Sequence, residues 1–165
     1  MIVLEKIASL KKMKRPQTID NYELKIKKTE YDDEIYGQIV NSSTDISSLA
    51  KTIIGNEFQE HFVVFMLDVK NKVIGYYVAA VGGISHCPVD VRCVFRTALI
   101  VGATSIILAH NHPSGSTTPS EDDITLTKRV GEIARTIGLV ILDHVIVTQE
   151  SYYSLRTSMP NLFSQ

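Results

Sequence analysis

The chain has 165 residues, 44% hydrophobic and 21% charged, with 17 Lys and Arg against 18 Asp and Glu. That is the size and balance of a single globular domain with a sizeable core. The longest apolar stretch, Leu99 to Ala109, is broken by Gly102, Thr104 and Ser105, which excludes a membrane span.

The charge is unevenly placed. Residues 1–28 carry eight basic and three acidic side chains, leaving nine basic and fifteen acidic for the remainder. A basic leader therefore precedes an acidic body, a poor platform for a phosphate backbone. Nucleic-acid contact is expected to be weak at most, and confined to the leader. In the first fifteen residues the lysines follow the apolar positions, the wrong order for a secretory signal. Cys87 and Cys93 give no disulfide framework, which fits a reducing cytoplasm.

In chain order, residues 1–15 read as a short amphipathic helix or a disordered arm, broken at Arg15-Pro16. Tyr22 to Lys28 alternates like an edge strand. Ser42 to Asp45 offers N-cap residues for a helix with Ile46, Leu49, Ala50 and Ile53 on one face, ending at Gly55. His61 to Leu67 predicts a strand, residues 69–72 a turn, and Val73 to Val81 the returning strand. His86-Cys87 falls in a loop, because adjacent residues rarely ligate one ion. Asp90 caps a helix stopped by Gly102. Ser105 to Ala109 is a short apolar run of the buried-strand type. Pro119-Ser120 opens a helix through Leu126, Val130, Ile133, Ala134 and Ile137. Gly138 breaks it, Leu139 to Thr148 forms a strand, and Tyr152 to Leu155 adds an edge segment. A hairpin followed by helix–strand–helix–strand predicts an α/β three-layer sandwich with a central mixed β-sheet flanked by helices. The chain divides into the leader (1–28), a strand and helix extension packed on the core (29–56) and a main domain (57–165).

The chemistry concentrates at His110-Asn111-His112-Pro113-Ser114-Gly115, with Ser120 and Asp123 following. His110 and His112 point to one side of a strand and Asn111 to the other. Asp123 falls in the first turn of the next helix, and the turn at 113–115 can fold that helix start back onto the strand end. Two imidazoles and one carboxylate form the set that a catalytic zinc site uses, with a fourth position left for water. Ser120 and Asp123 also fit a capping box. His144, beside Asp143 in an apolar strand, reads as a packed, hydrogen-bonded histidine.

His-x-His, seven residues, then Ser-x-x-Asp resembles the motif of the JAMM (MPN-plus, or JAB) metalloproteases. The form here, with Leu142-Asp143-His144 further on, looks like the RadC branch over roughly residues 57–156. The resemblance implies zinc on His110, His112 and Asp123. It implies Ser120 as a donor to the oxyanion and Glu60, at the head of the first core strand, as general base, with Glu57 the competing glutamate. It implies hydrolysis of a peptide or isopeptide bond by a water that the zinc polarises. The helix-hairpin-helix signature usual ahead of such domains is missing before residue 57. The family's His-Pro-Arg-Glu stretch reads here as Asp90-Val91-Arg92-Cys93. Two rival readings are an accessory protein of DNA repair and a metal-stabilised interaction module without activity. A zinc deaminase would need His-x-Glu and Pro-Cys-x-x-Cys, and neither occurs. The sequence does not determine the oligomeric state.

Overall fold

The computed structural model describes residues 34–82 and 89–164. The expected leader helix, the edge strand Tyr22–Lys28 and the His86-Cys87 loop lie outside these residues. The elements are α1 (Ser43–Ile54), β1 (His61–Leu67), β2 (Val73–Val81), α2 (Val91–Ile100), β3 (Ser105–Asn111), α3 (Glu121–Thr136), β4 (Val140–Val147), β5 (Tyr152–Ser154) and α4 (Leu155–Ser158), with a last 3-10 turn at Pro160–Phe163.

Five strands form one sheet in the order β2-β1-β3-β4-β5. The β1 strand runs antiparallel to both β2 and β3, β3 and β4 are parallel, and β5 returns antiparallel to β4. The sheet is mixed, as the sequence predicts. Parallel neighbours need a crossover, and α3 supplies it between β3 and β4. Asn71, at φ 57, takes the left-handed position in the tight β1–β2 turn, which asparagine tolerates better than most residues. The Asp68 carboxylate accepts the N–H groups of Lys70 and Lys72 to close that turn.

Strand alternation divides the interior into two apolar clusters. On one face Ile46, Ala50 and Ile54 of α1 pack against Val63, Phe65, Ile107 and Val145. On the other, Val94, Phe95 and Ala98 of α2 and Val130 and Ala134 of α3 pack against Phe62, Val64, Ile106 and Leu108. Helix α1 is thus one of the three layers of an α/β sandwich.

Three ends differ from the sequence expectation: β4 stops at Val147, since the Thr148 N–H goes to Ser151 O, and two others shift. Leu139 is not in the strand, because its N–H goes to Ala134 O and finishes α3. The last edge segment stops at Ser154, whose Oγ accepts the Thr157 N–H and caps α4, so Leu155 opens a helix.

Candidate metal centre

The β3 strand delivers His110 toward the α2/α3 layer, on the same face as Leu108 and Phe62. Its ring is fully buried and stacks on Phe62, centroids 5.9 Å apart and 15° from parallel. His112 continues the line of the strand, its N–H donating to Val147 O at 3.1 Å. The chain then reverses at Gly115, which sits at φ 81 where a side chain would be strained. The Ser116 carbonyl comes back to accept from His112 Nδ1 at 2.7 Å. Ser120 N-caps α3, and Asp123 completes the capping box. Its Oδ2 accepts from both the Ser120 N–H and the Ser120 hydroxyl, each at 2.7 Å.

These folds bring three side chains to one point. His110 Nε2 and His112 Nε2 are 3.0 Å apart. Asp123 Oδ1 is 3.2 Å from His110 Nε2, and Oδ2 is 3.7 Å from His112 Nε2. Donor atoms held at about 2.0–2.2 Å on a tetrahedral ion stand roughly 3.3–3.5 Å from one another, so this spacing fits around one ion. Two imidazoles and a carboxylate also make a donor set suited to a divalent transition metal. Among the described residues, His110, His112 and Asp123 are the group able to hold one.

The electrostatics agree with that use. Burial opposes ionisation of Asp123. The hydrogen bond and charge of His110 outweigh it, with Ser120 adding to them, and hold the carboxyl well below the usual carboxylate range. The site therefore presents a fixed negative charge beside two imidazole nitrogens. His144 is fully buried next to it, and its Nε2 lies 2.9 Å from His110 Nδ1. Burial pushes His144 far toward the neutral form; charge on His110 and His112 acts the same way and Asp123 opposes it.

Glu60 stands apart from the three converging side chains. It is half-buried at the entry to β1, its carbonyl accepting from Gly82 N–H at 2.7 Å. Because Phe62 pairs with His110, Glu60 enters at the end of the sheet where the histidines lie. Glu57 is exposed and lines an open cleft of 630 Å³ beside His112, together with Phe58, Pro113 and Glu150.

Asn111 has a role that its position alone does not reveal. Pointing away from the histidines, it accepts the His61 N–H at 2.7 Å and donates to the carbonyls of Glu57 and Gln59 at 3.1 and 3.0 Å. It thereby ties the segment carrying Glu60 to the strand carrying the histidines. His144 is packed and hydrogen-bonded, and one of its partners is His110 itself. Alternation along β4 puts His144 on the face opposite Val145 and Val147, and the parallel register, with Leu108 paired to His144, brings it to His110.

The family described as RadC-like JAB domain matches residues 40–160. The match begins before α1 rather than at residue 57. A UPF0758 protein of Carboxydothermus hydrogenoformans is 39% identical over 112 residues, covering 68% of this chain and 50% of that protein. One from Rubrobacter xylanophilus is 43% identical over 118 residues, 72% of this chain and 52% of its own length. One from Listeria monocytogenes is 41% identical over 118 residues, 72% of this chain and 53% of its own length. The chain spans about half the length of the curated relatives it matches, and their names state no activity. With most of its length inside the family match, the chain belongs to the RadC-like JAB domain family.

Proposed function

We propose that this chain is a zinc-dependent hydrolase of peptide or isopeptide bonds. The observation that carries the reading is the convergence of His110 Nε2, His112 Nε2 and the Asp123 carboxylate within a few ångströms, at a strand end beside an open cleft. When bound, zinc supplies Lewis acidity, which polarises a carbonyl and brings the pKa of water near neutrality. His110, His112 and Asp123 hold it. Glu60 takes the proton from the attacking water and passes it to the leaving amine. Ser120 turns its hydroxyl from Asp123 to the developing oxyanion. The cleft beside His112 has room for an extended peptide, and exposed Phe58 offers it an apolar contact.

The test begins with elemental analysis. The purified protein should carry close to one zinc per chain, and His112→Ala should lose most of it; equal zinc in both removes the metal assignment. A peptide-library screen then supplies a cleaved sequence. Glu60→Gln should keep its zinc and its melting temperature while hydrolysis falls by a factor of roughly 10²–10⁴. If Glu60→Gln cleaves like wild type and Glu57→Gln does not, the base is Glu57.

A further inference from the structure

Behind the metal-facing side chains lies a line of buried hydrogen bonds that runs in one direction. Thr127, one turn past Asp123 on α3, donates its hydroxyl proton to the Asp123 backbone carbonyl at 2.6 Å. The same Oγ1 lies 2.6 Å from His144 Nδ1. A hydroxyl has one proton, and a carbonyl can only accept. With that proton committed, Thr127 meets His144 as an acceptor, so His144 Nδ1 carries the hydrogen. The neutral ring then has its lone pair on Nε2, which faces His110 Nδ1 at 2.9 Å. His110 must donate there, and its own lone pair is left on Nε2, the atom that faces His112 and Asp123.

His112 is set independently. Its Nδ1 donates to the Ser116 carbonyl at 2.7 Å, which leaves its Nε2 lone pair facing the same point. On neutral rings two lone pairs and a carboxylate then face one point; without an ion a proton shared between His110 Nε2 and Asp123 Oδ1, 3.2 Å apart, takes that place. Neither His144 ring nitrogen touches a carboxylate, and the edge of its ring packs at Phe62, centroids 5.5 Å apart.

We propose that Thr127 and His144 are positioning residues that keep a hydrogen on His110 Nδ1, so that Nε2 is the nitrogen left to ligate an ion. The value of this for metal binding rests on the zinc reading above; the tautomers themselves do not. Outer partners of ligating histidines are typically worth about 10–100-fold in metal affinity.

The tautomers can be read in the metal-free full chain by long-range ¹H–¹⁵N NMR of the histidine rings. Wild type should show a hydrogen on Nδ1 of both His144 and His110, with or without a further proton between His110 Nε2 and Asp123. Thr127→Val removes the acceptor at similar volume, so His144 should redistribute toward Nε2–H and His110 with it. Thr127→Ser restores the hydroxyl and should restore the wild-type pattern. Zinc affinity, measured by competition with a chromophoric chelator, should fall about 10–100-fold in Thr127→Val and in His144→Leu. It should stay near wild type in Thr127→Ser, and in His144→Gln, whose amide oxygen can still accept from His110. A wild-type His110 without a hydrogen on Nδ1 overturns the proposal. So does a Thr127→Val protein with unchanged ring signals. If wild type binds no zinc while the ring pattern is as stated, the zinc reading fails and the relay stands.

Discussion

Asp143 accepts three hydrogen bonds in the interior. Its Oδ1 takes the N–H groups of His144 and Arg156 at 2.7 and 3.0 Å, and Oδ2 takes the Ser154 hydroxyl at 2.7 Å. Burial still pushes its carboxyl above the ordinary value, although Ser154 and the two N–H groups pull the other way. A carboxyl whose folded pKa is raised binds its proton more tightly in the folded state. Its cost is therefore absent below the unfolded pKa of about 3.9 and develops as pH rises through the folded value. Asp143→Asn keeps both N–H bonds on the amide oxygen. Its NH₂ can donate to Ser154 Oγ, whose own proton then goes to Thr157 Oγ1, 3.0 Å away. The variant should gain stability relative to wild type as pH rises from about 4 to about 7, measured by denaturant midpoints. A gap that narrows over that range contradicts the assignment. At this scale the sequence was legible where spacing alone decides. His110, His112 and Asp123 follow from a strand, a turn and a helix start in succession. The bonds of Asn111 were not legible, because they reach partners some fifty residues earlier and depend on β1 pairing with β3. The link from His144 to His110 depended in the same way on the parallel register.

Two helices begin with the same device. Ser42 and Asp45 form a capping box at α1, and Ser120 and Asp123 form one at α3. In α1 the box starts the helix, with Asp45 Oδ2 accepting the N–H groups of Asn41 and Ser42. In α3 one oxygen of the capping carboxylate serves the helix start and the other faces His110, so a single side chain is shared between local structure and the metal centre. Ser42→Ala and Ser120→Ala should each cost about 1 kcal/mol of stability in denaturant titrations. Only Ser120→Ala should also weaken zinc affinity, because it releases the Asp123 carboxylate. An equal loss of zinc in both variants would deny the sharing. These caps were readable in the sequence because they are local, as were the bounds of β1 and β2. The ends of β4 and β5 were not, since they are decided by which neighbour takes the last N–H: Ala134 for Leu139, Ser151 for Thr148 and Ser154 for Thr157.

For the molecule as a whole, the mixed sheet makes the site possible. The parallel β3–β4 pair requires a crossover, and the crossover helix begins where β3 ends. Three acidic residues in the first turn of α3, Glu121, Asp122 and Asp123, also suit the positive end of its dipole. An ion held there joins strand and helix and should stabilise the fold as any ligand of the native state does. Zinc at about a hundred times its dissociation constant should add roughly 2.7 kcal/mol. Thermal denaturation should show the chelated protein melting lower, zinc restoring it, and His112→Ala unmoved by either. A wild-type protein indifferent to chelator would argue against a native-state ion. The sheet has a further consequence for mutation. It is a wall between two separately packed interiors, and His110 and His144 lie against Phe62 on the α2/α3 side. Changes in volume at Ile46 or Ile54 and changes at Val130 or Ala134 have no common neighbour, so their effects should sum to within about 0.5 kcal/mol. The α1 side can accumulate substitutions, by drift or by engineering, nearly independently of the chemistry behind the sheet. Asn111 marks the border: it lies between the two histidines, and its side chain reaches the other way, to the carbonyls of Glu57 and Gln59.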